Sequence, residues 1–275
     1  MSSTPHGLVW DQTGERFYET GVNQCALYTQ NSDGTYNEGV AWNGITSITE
    51  SPSGAEANAI YADNIKYLNL YSAEELGGTI EAYTYPDEFA ECDGTASPKT
   101  GMMIGQQTRK GFALVYKTKL GNDSAGDDFA YKLHIIYGCK ASPSERAYAT
   151  INDSPEAIQF SWEFSTTPVN VSGYKPTSIV TLDSSKFTSA AEKAKFAAVE
   201  NSLYGTNASD YPEFDASSTY AIGDKVSHTV SSNTKYYICT TAITTAAAWS
   251  DAKWTEVSAS APVLLMPADI ITALT

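Results

Sequence analysis

The stretch Ile158-Gln159-Phe160-Ser161-Trp162-Glu163-Phe164-Ser165 carries an apolar side chain at every even position and a polar one at every odd position. A period of two is the signature of a strand with one face in a core and the other in solvent; helical segments repeat their apolar positions every three to four residues instead. The reading predicts a half-buried strand whose inner face carries Ile158, Phe160, Trp162 and Phe164. The same alternation recurs upstream. Tyr131, Leu133, Ile135, Tyr137 and Cys139 fall on one face of the segment 129–139, with Lys132 and His134 on the other. Phe112, Leu114 and Tyr116 share a face of a preceding strand, with Lys117 and Lys119 opposite. Between the two lies Gly121-Asn122-Asp123-Ser124-Ala125-Gly126-Asp127-Asp128, a run of turn formers, so the pair reads as a hairpin.

Further toward the N-terminus, 61–71 and 79–85 read as strands. Ser72 to Gly78 forms a polar connection or one helical turn between them, and Pro86 ends the second strand. The run 51–58, containing Ser51, Pro52, Gly54, Glu56 and Asn58, is too polar and glycine-containing for a core strand. It is expected to be a projecting loop, serving either a partner surface or plain solvent exposure. One helix is well marked over 190–204: Ser189 and Glu192 have capping-box spacing and Gly205 is placed to stop it. Phe196, Val199 and Leu203 give this helix an apolar stripe, with Lys193 and Glu200 assigned to its other side. Many short strands and one late helix predict a mainly β fold, a β-sandwich or half-open barrel with the helix packed on it.

Composition changes after residue 210. From 211 to 257 the chain is rich in Ser, Thr and Ala and dense in aromatics, and 258–275 is again apolar enough to return to the parent core. The domains are therefore read as 1–210 with 258–275, interrupted by an inserted β module at 211–257. Tyr236, Trp249 and Trp254 of the module are candidates for stacking on sugar rings, because flat aromatic faces complement the apolar faces of pyranosides. A module of this size also needs aromatic side chains to make a core, and both readings stand at this point.

The 275 residues include 32 Asp and Glu against 17 Lys and Arg, a formal charge of −15. That balance disfavours wrapping of nucleic acid by a basic surface, whose affinity comes from cationic side chains releasing counterions. Four cysteines stand without any CxxC and read as isolated thiols, and three scattered histidines offer no metal-ligand spacing. There is no nucleophile elbow, phosphate-cradling loop or dinucleotide fingerprint. Carboxylate pairs such as Glu74 with Glu75 are frequent in so acidic a chain, and solvated charge accounts for them. No enzyme, metal or cofactor is expected. The N-terminus lacks a secretory leader pattern, and no run of apolar residues reaches membrane-spanning length.

Ser51-Pro-Ser-Gly-Ala-Glu-Ala, Tyr61-Ala-Asp-Asn-Ile-Lys-Tyr67 and Gly78-Thr-Ile-Glu-Ala-Tyr-Thr-Tyr-Pro-Asp-Glu-Phe89 together resemble the major tail protein of long-tailed, non-contractile bacteriophages. Phe160 to Val169, Lys175-Pro-Thr177, Leu203-Tyr-Gly-Thr206 and Leu265-Met-Pro-Ala-Asp-Ile-Ile271 extend the likeness over residues 8–210 and 260–275. The resemblance implies a tail tube subunit: six-membered rings stacked into a hollow conduit for DNA ejection, made in the host cytoplasm and retained in the virion tail. It further implies residues 1–20 as a partner arm and 43–58 as an inter-ring loop. Copies of itself are the implied partners, together with tail terminator, tape measure and distal tail proteins, and DNA is expected to pass without specific binding. An acidic lumen wall would keep phosphate from adhering. The module, with Tyr220-Ala-Ile-Gly-Asp-Lys-Val226 and Tyr236-Tyr-Ile-Cys239, is similar to small chitin- or carbohydrate-binding modules. Adhesion to a host cell-surface glycan is the alternative function.

Overall fold

The computed structural model describes residues 7–151, 153, 156–257 and 259–275. The N-terminal half holds β1 (Phe17–Thr29), β2 (Val40–Trp42), β3 (Ile45–Gly54), β4 (Ala57–Ala62), β5 (Ile65–Tyr71), β6 (Glu74–Ala82), the short helix α1 (Phe89–Cys92), β7 (Ala96–Lys99), β8 (Met102–Ile104), β9 (Phe112–Asn122) and β10 (Gly126–Ala141). It continues with β11 (Phe160–Thr166), β12 (Ile179–Asp183), α2 (Ala190–Tyr204), β13 (Lys225–Val230), β14 (Asn233–Cys239), β15 (Trp254–Val257) and α3 (Pro267–Leu274). All strand pairs in these sheets are antiparallel.

The main sheet runs β2-β1-β9-β10-β11-β6-β3, with β12 beside β10, and it folds over itself at a bulge in β10. The outer edge of β10 pairs with β12 over Lys132–Ile136 and with β11 over Cys139–Ala141. Between these two partners sits Gly138, with φ +62° and its ideal Cβ position only 2.3 Å from the Thr167 carbonyl oxygen. Only glycine fits this left-handed, crowded point. The bulge also moves Cys139 to the opposite face from Leu133, Ile135 and Tyr137, correcting the uninterrupted alternation read from sequence.

Folding over at Gly138 creates two cores on the two faces of β1-β9-β10. Leu27, Phe112, Leu114 and Ile136 meet Ile80, Trp162, Phe164 and Phe89 inside the sandwich. Tyr28, Val115, Leu133, Ile135 and Tyr137 face outward and are covered by Phe196, Val199 and Leu203 of α2 and by Leu264 and Ile270 near the C-terminus. The protein is thus mainly β, a sandwich with helices against one outer face. The 158–165 reading holds for Phe160, Trp162 and Phe164, whereas Ile158 precedes the strand and is exposed.

The capping box of α2 is present: the Glu192 amide donates to Ser189 Oγ at 3.2 Å, and the Ser189 amide donates to Glu192 Oε2 at 2.9 Å. Glu200 is not on a solvated side. It lies four residues from Phe196 and three from Leu203, on the packing face, where it is buried and ion-paired with Lys117. The four cysteines are free and buried; Cys25, Cys92 and Cys139 share the interior of the sandwich.

The segment 43–58 is not a loop. Residues 45–54 form β3, paired with β6 from Ile45↔Ala82 to Gly54↔Glu74. Residues 74–78, expected in a polar connection or helical turn, belong to β6, and Gly78 must be glycine because a Cβ there would stand 2.2 Å from the Thr49 oxygen and 2.6 Å from the Phe164 ring. Likewise 61–71 is not one strand: β4 and β5 form a hairpin whose turn is Asp63-Asn64, both at positive φ. From 45 to 82 the chain is therefore one long arm.

Candidate assembly surfaces

The arm bends where its proximal ladder, β3–β6, passes to the distal ladder, β4–β5. Gly54 and Ala55 adopt positive φ there, and the Ala55 amide reaches the Ala73 oxygen at 3.4 Å. The five residues expected in an inter-ring loop are distributed across this element: Ser51, Pro52 and Gly54 pair with Gly77, Leu76 and Glu74 in β3, Glu56 lies at the bend, and Asn58 pairs with Leu70 in β4. All five are exposed.

Beyond the bend, period two puts Ile65, Tyr67 and Tyr71 on one face of β5, and Leu68 and Leu70 on the other beside Ile60 of β4. Neither face is covered: Tyr61, Tyr67 and Tyr71 are 69%, 68% and 67% exposed, and Ile60, Ile65, Leu68 and Leu70 are exposed as well. The sequence reading expected a projecting loop only as far as residue 58 and did not foresee that the projecting element continues through this hairpin. Its signal was the run of β-branched and aromatic residues from 60 to 71 around Asp-Asn. Two smaller apolar exposures accompany it, Met102, Met103 and Ile104 on the β7–β8 hairpin and Leu8, Val9 and Trp10 in the N-terminal segment.

The arm is fastened at its root by a polar cluster in the open end of the sandwich. His134 of β10 stacks on Tyr116 with ring centroids 4.8 Å apart, and its Nδ1 and Nε2 lie 3.5 Å and 3.6 Å from Glu50 and Glu19. The Tyr116 hydroxyl donates to Glu50, Thr118 donates to Glu19 at 2.6 Å, and Lys132 reaches Glu19 at 2.5 Å. Glu50 is held below the usual carboxylate range, first by its hydrogen bond with His134 and then by the one from Tyr116, against the opposing effect of burial. For Glu19 burial raises the pKa, but the bonds from Lys132 and Thr118 outweigh it and the net shift is downward. His134 is a buried, hydrogen-bonded residue linking β1, β3, β9 and β12, with Thr181 3.4 Å from its Nδ1.

Residues 211–257 contain a three-stranded sheet, β13-β14-β15, with its own small core. Trp254 is 6% exposed, correcting the expectation of a free stacking face: it lies parallel to Trp249 at 5.2 Å, with Phe214 and Tyr220 edge-on. Trp249 is half-buried, stacked also on His228 at 3.9 Å and donating from Nε1 to Asp251 at 2.6 Å. Tyr236 is half-buried on a different side, against Tyr211. The three residues do not form one exposed platform.

Among the described residues no group of three or more His, Cys, Asp and Glu is arranged to hold a metal ion. No helix among them is long and apolar enough to cross a membrane. No family model and no curated protein matches the chain. Among solved structures, a chain of the six-fold symmetrised cryo-EM structure of the anti-feeding prophage baseplate is similar at 9% identity, over 64% of this chain and 97% of that one, with a TM-score of 0.28. Similarity at that score carries no conclusion about the fold or role of this chain.

Proposed function

We propose that this chain is a noncatalytic structural subunit of a phage tail tube, one that completes its fold by joining copies of itself into stacked rings. The observation that carries the reading is the distal arm, a two-stranded hairpin with large apolar side chains exposed on both faces. An isolated two-stranded ribbon is marginal in water, and contiguous apolar exposure of this kind marks a protein contact. Covering one such side chain contributes about 1.5–3 kcal/mol, so an arm seated between neighbours offsets the entropy lost on ordering it.

The main sheet supports the same reading. Strand β3 is ten residues long, ends the sheet on one side and has no Lys along its free edge. Long edges are templates for pairing with another chain, and this one is interrupted only near its far end by Pro52, which has no N–H to donate. In a ring, such edges would join sheets into a wall, and the part of the acidic excess that faces the lumen would repeat around the bore, repelling DNA within about 8 Å at physiological salt. Tail terminator, tape measure and distal tail proteins would cap and fill the assembly, in a virion tail built in the host cytoplasm. The module would project as a decoration; adhesion to a cell-surface glycan is left to the half-buried Tyr236 and Trp249.

Negative-stain micrographs of the concentrated protein test the proposal. Rings or tubes of constant width are expected. A chain that remains a solitary subunit at high concentration, and holds no repeating wall position in tail particles, overturns it.

A further inference from the structure

A cleft of about 700 Å³ opens where β1, β2, the end of α2 and the start of the module meet. Five carboxamides line it: Asn23, Gln24, Asn43, Asn201 and Asn207. Its apolar wall is formed by the half-buried Val22 and Val40, over the buried Trp42 and Leu203. Its charges cancel, Lys117 and Lys225 against Glu200 and Asp210. The Asn201 side chain accepts from Lys225 at 3.1 Å through Oδ1 and hydrogen-bonds Tyr211, whereas the buried Tyr204 hydroxyl in the lining makes no hydrogen bond. A buried donor left unmade costs about 1–3 kcal/mol.

Carboxamides carry the same donor and acceptor pair as a peptide group, and a neutral cleft with one apolar wall and several carboxamides complements an extended polypeptide better than it does an ion. Gly7-Leu8-Val9-Trp10-Asp11-Gln12 of this chain has the matching properties. It lies outside every helix and strand, so its backbone is not committed to a ladder, and Leu8, Val9 and Trp10 are 79%, 68% and 73% exposed. Asp11 supplies a carboxylate for Lys225, whose nearest acid, Glu200, lies 3.8 Å away and already binds Lys117. The distal arm is a poorer candidate, since its backbone is already paired.

We infer that this cleft receives the N-terminal segment of a second copy of the chain, with Trp10 against the apolar wall and the segment's backbone on the carboxamides. The inference rests on the self-assembly reading and adds the receptor for one of its contacts. It also assigns a role to the module, whose Lys225 forms part of the rim.

A fluorescently labelled peptide of residues 7–16, titrated into the full chain and followed by anisotropy, tests the site without requiring assembly. Saturable binding is expected, at least tenfold weaker for the Trp10→Ala peptide and at least fivefold weaker for the Asn43→Ala/Asn207→Ala protein. Absence of saturation, or equal binding in all three cases, overturns the inference. A second arm pairs Trp10→Cys with Asn207→Cys in assembled material; all four native cysteines are buried, so a cross-linked dimer on a denaturing gel reports this contact. Tubes that form without the cross-link refute the site and leave the tube reading intact. Peptide binding by a chain that never assembles supports the site and refutes the tube.

Discussion

Glu50, on the ascending strand of the arm, and His134, on the central strand β10, face each other across the open end of the sandwich, with 3.5 Å between Oε1 and Nδ1. Eighty-four positions apart in sequence, they tie the part of the molecule that projects to the part that does not. The carboxylate is the titrating member with a defined shift: the His134 bond, with help from Tyr116, lowers its pKa in the folded state. A depressed carboxylate stabilises the fold above its unfolded value of about 4.3, and that contribution is lost as pH falls through the lower folded value. Glu19 acts in the same direction. Chemical denaturation from pH 6 down to pH 3 should therefore show stability falling below about pH 4.5, with part of the slope absent in Glu50→Gln. Because Glu50 is about one third exposed, screening limits the loss at neutral pH to about 1 kcal/mol. An unchanged slope in Glu50→Gln would remove this carboxylate from the account.

Lys117 and Glu200 make the second long-range tie, joining β9 to α2, with the Lys117 ammonium over the Tyr131 and Tyr204 rings. Both side chains are largely buried. Removing Lys117 leaves the buried Glu200 with only Lys225 at 3.8 Å and the Tyr131 hydroxyl at 3.2 Å, so Lys117→Met should cost about 3 kcal/mol in equilibrium unfolding. Replacing both, as Lys117→Met with Glu200→Leu, should recover part of that loss, because no buried charge is left alone. A double variant as unstable as the sum of the singles would show that the pair is not coupled.

The inserted module supplies a different contrast. Trp254 fills its core whereas Trp249 is half open, so Trp254→Ala should destabilise the module by about 3–5 kcal/mol and Trp249→Ala by distinctly less. Near-ultraviolet circular dichroism and limited proteolysis between residues 211 and 257 read this directly. For glycan adhesion, pull-down on insoluble polysaccharide should weaken with Trp249→Ala while the module stays folded. Retention equal to wild type would count against a stacking role for that ring.

What could be read from the chain follows the contrast between buried and solvated faces. Phe160, Trp162 and Phe164 were legible because one side of β11 enters a core and the other meets water. The arm was not, because period two reports a difference between faces and both faces of β4–β5 are solvated in the single subunit; Ser51 to Asn58 therefore looked like a loop. Gly138 hid a change of face behind a continuous alternation, since one inserted residue reverses every later side chain. Glu200 was misassigned because a charge was taken as solvated, although its spacing from Phe196 and Leu203 put it in the packed stripe. In the module, aromatic density suited a binding face and a small core equally, and only burial separates Trp254 from Trp249.

The arm itself gives the sharpest test of whether those solvated faces have a purpose. Tyr61→Ser, Tyr67→Ser and Leu70→Ser change exposed side chains that contribute little to the subunit's own core, so each should alter its stability by no more than about 0.5 kcal/mol. If the arm packs between neighbours, the three together remove several kcal/mol of contact per subunit, and the concentration needed for assembly should rise at least tenfold. Thermal melts and sedimentation of the same samples separate the two effects. A triple variant that melts like wild type yet no longer pellets places the value of these residues between subunits. One that melts early places it within the hairpin's own fold, and one that assembles normally leaves the exposed tyrosines with no part in the wall.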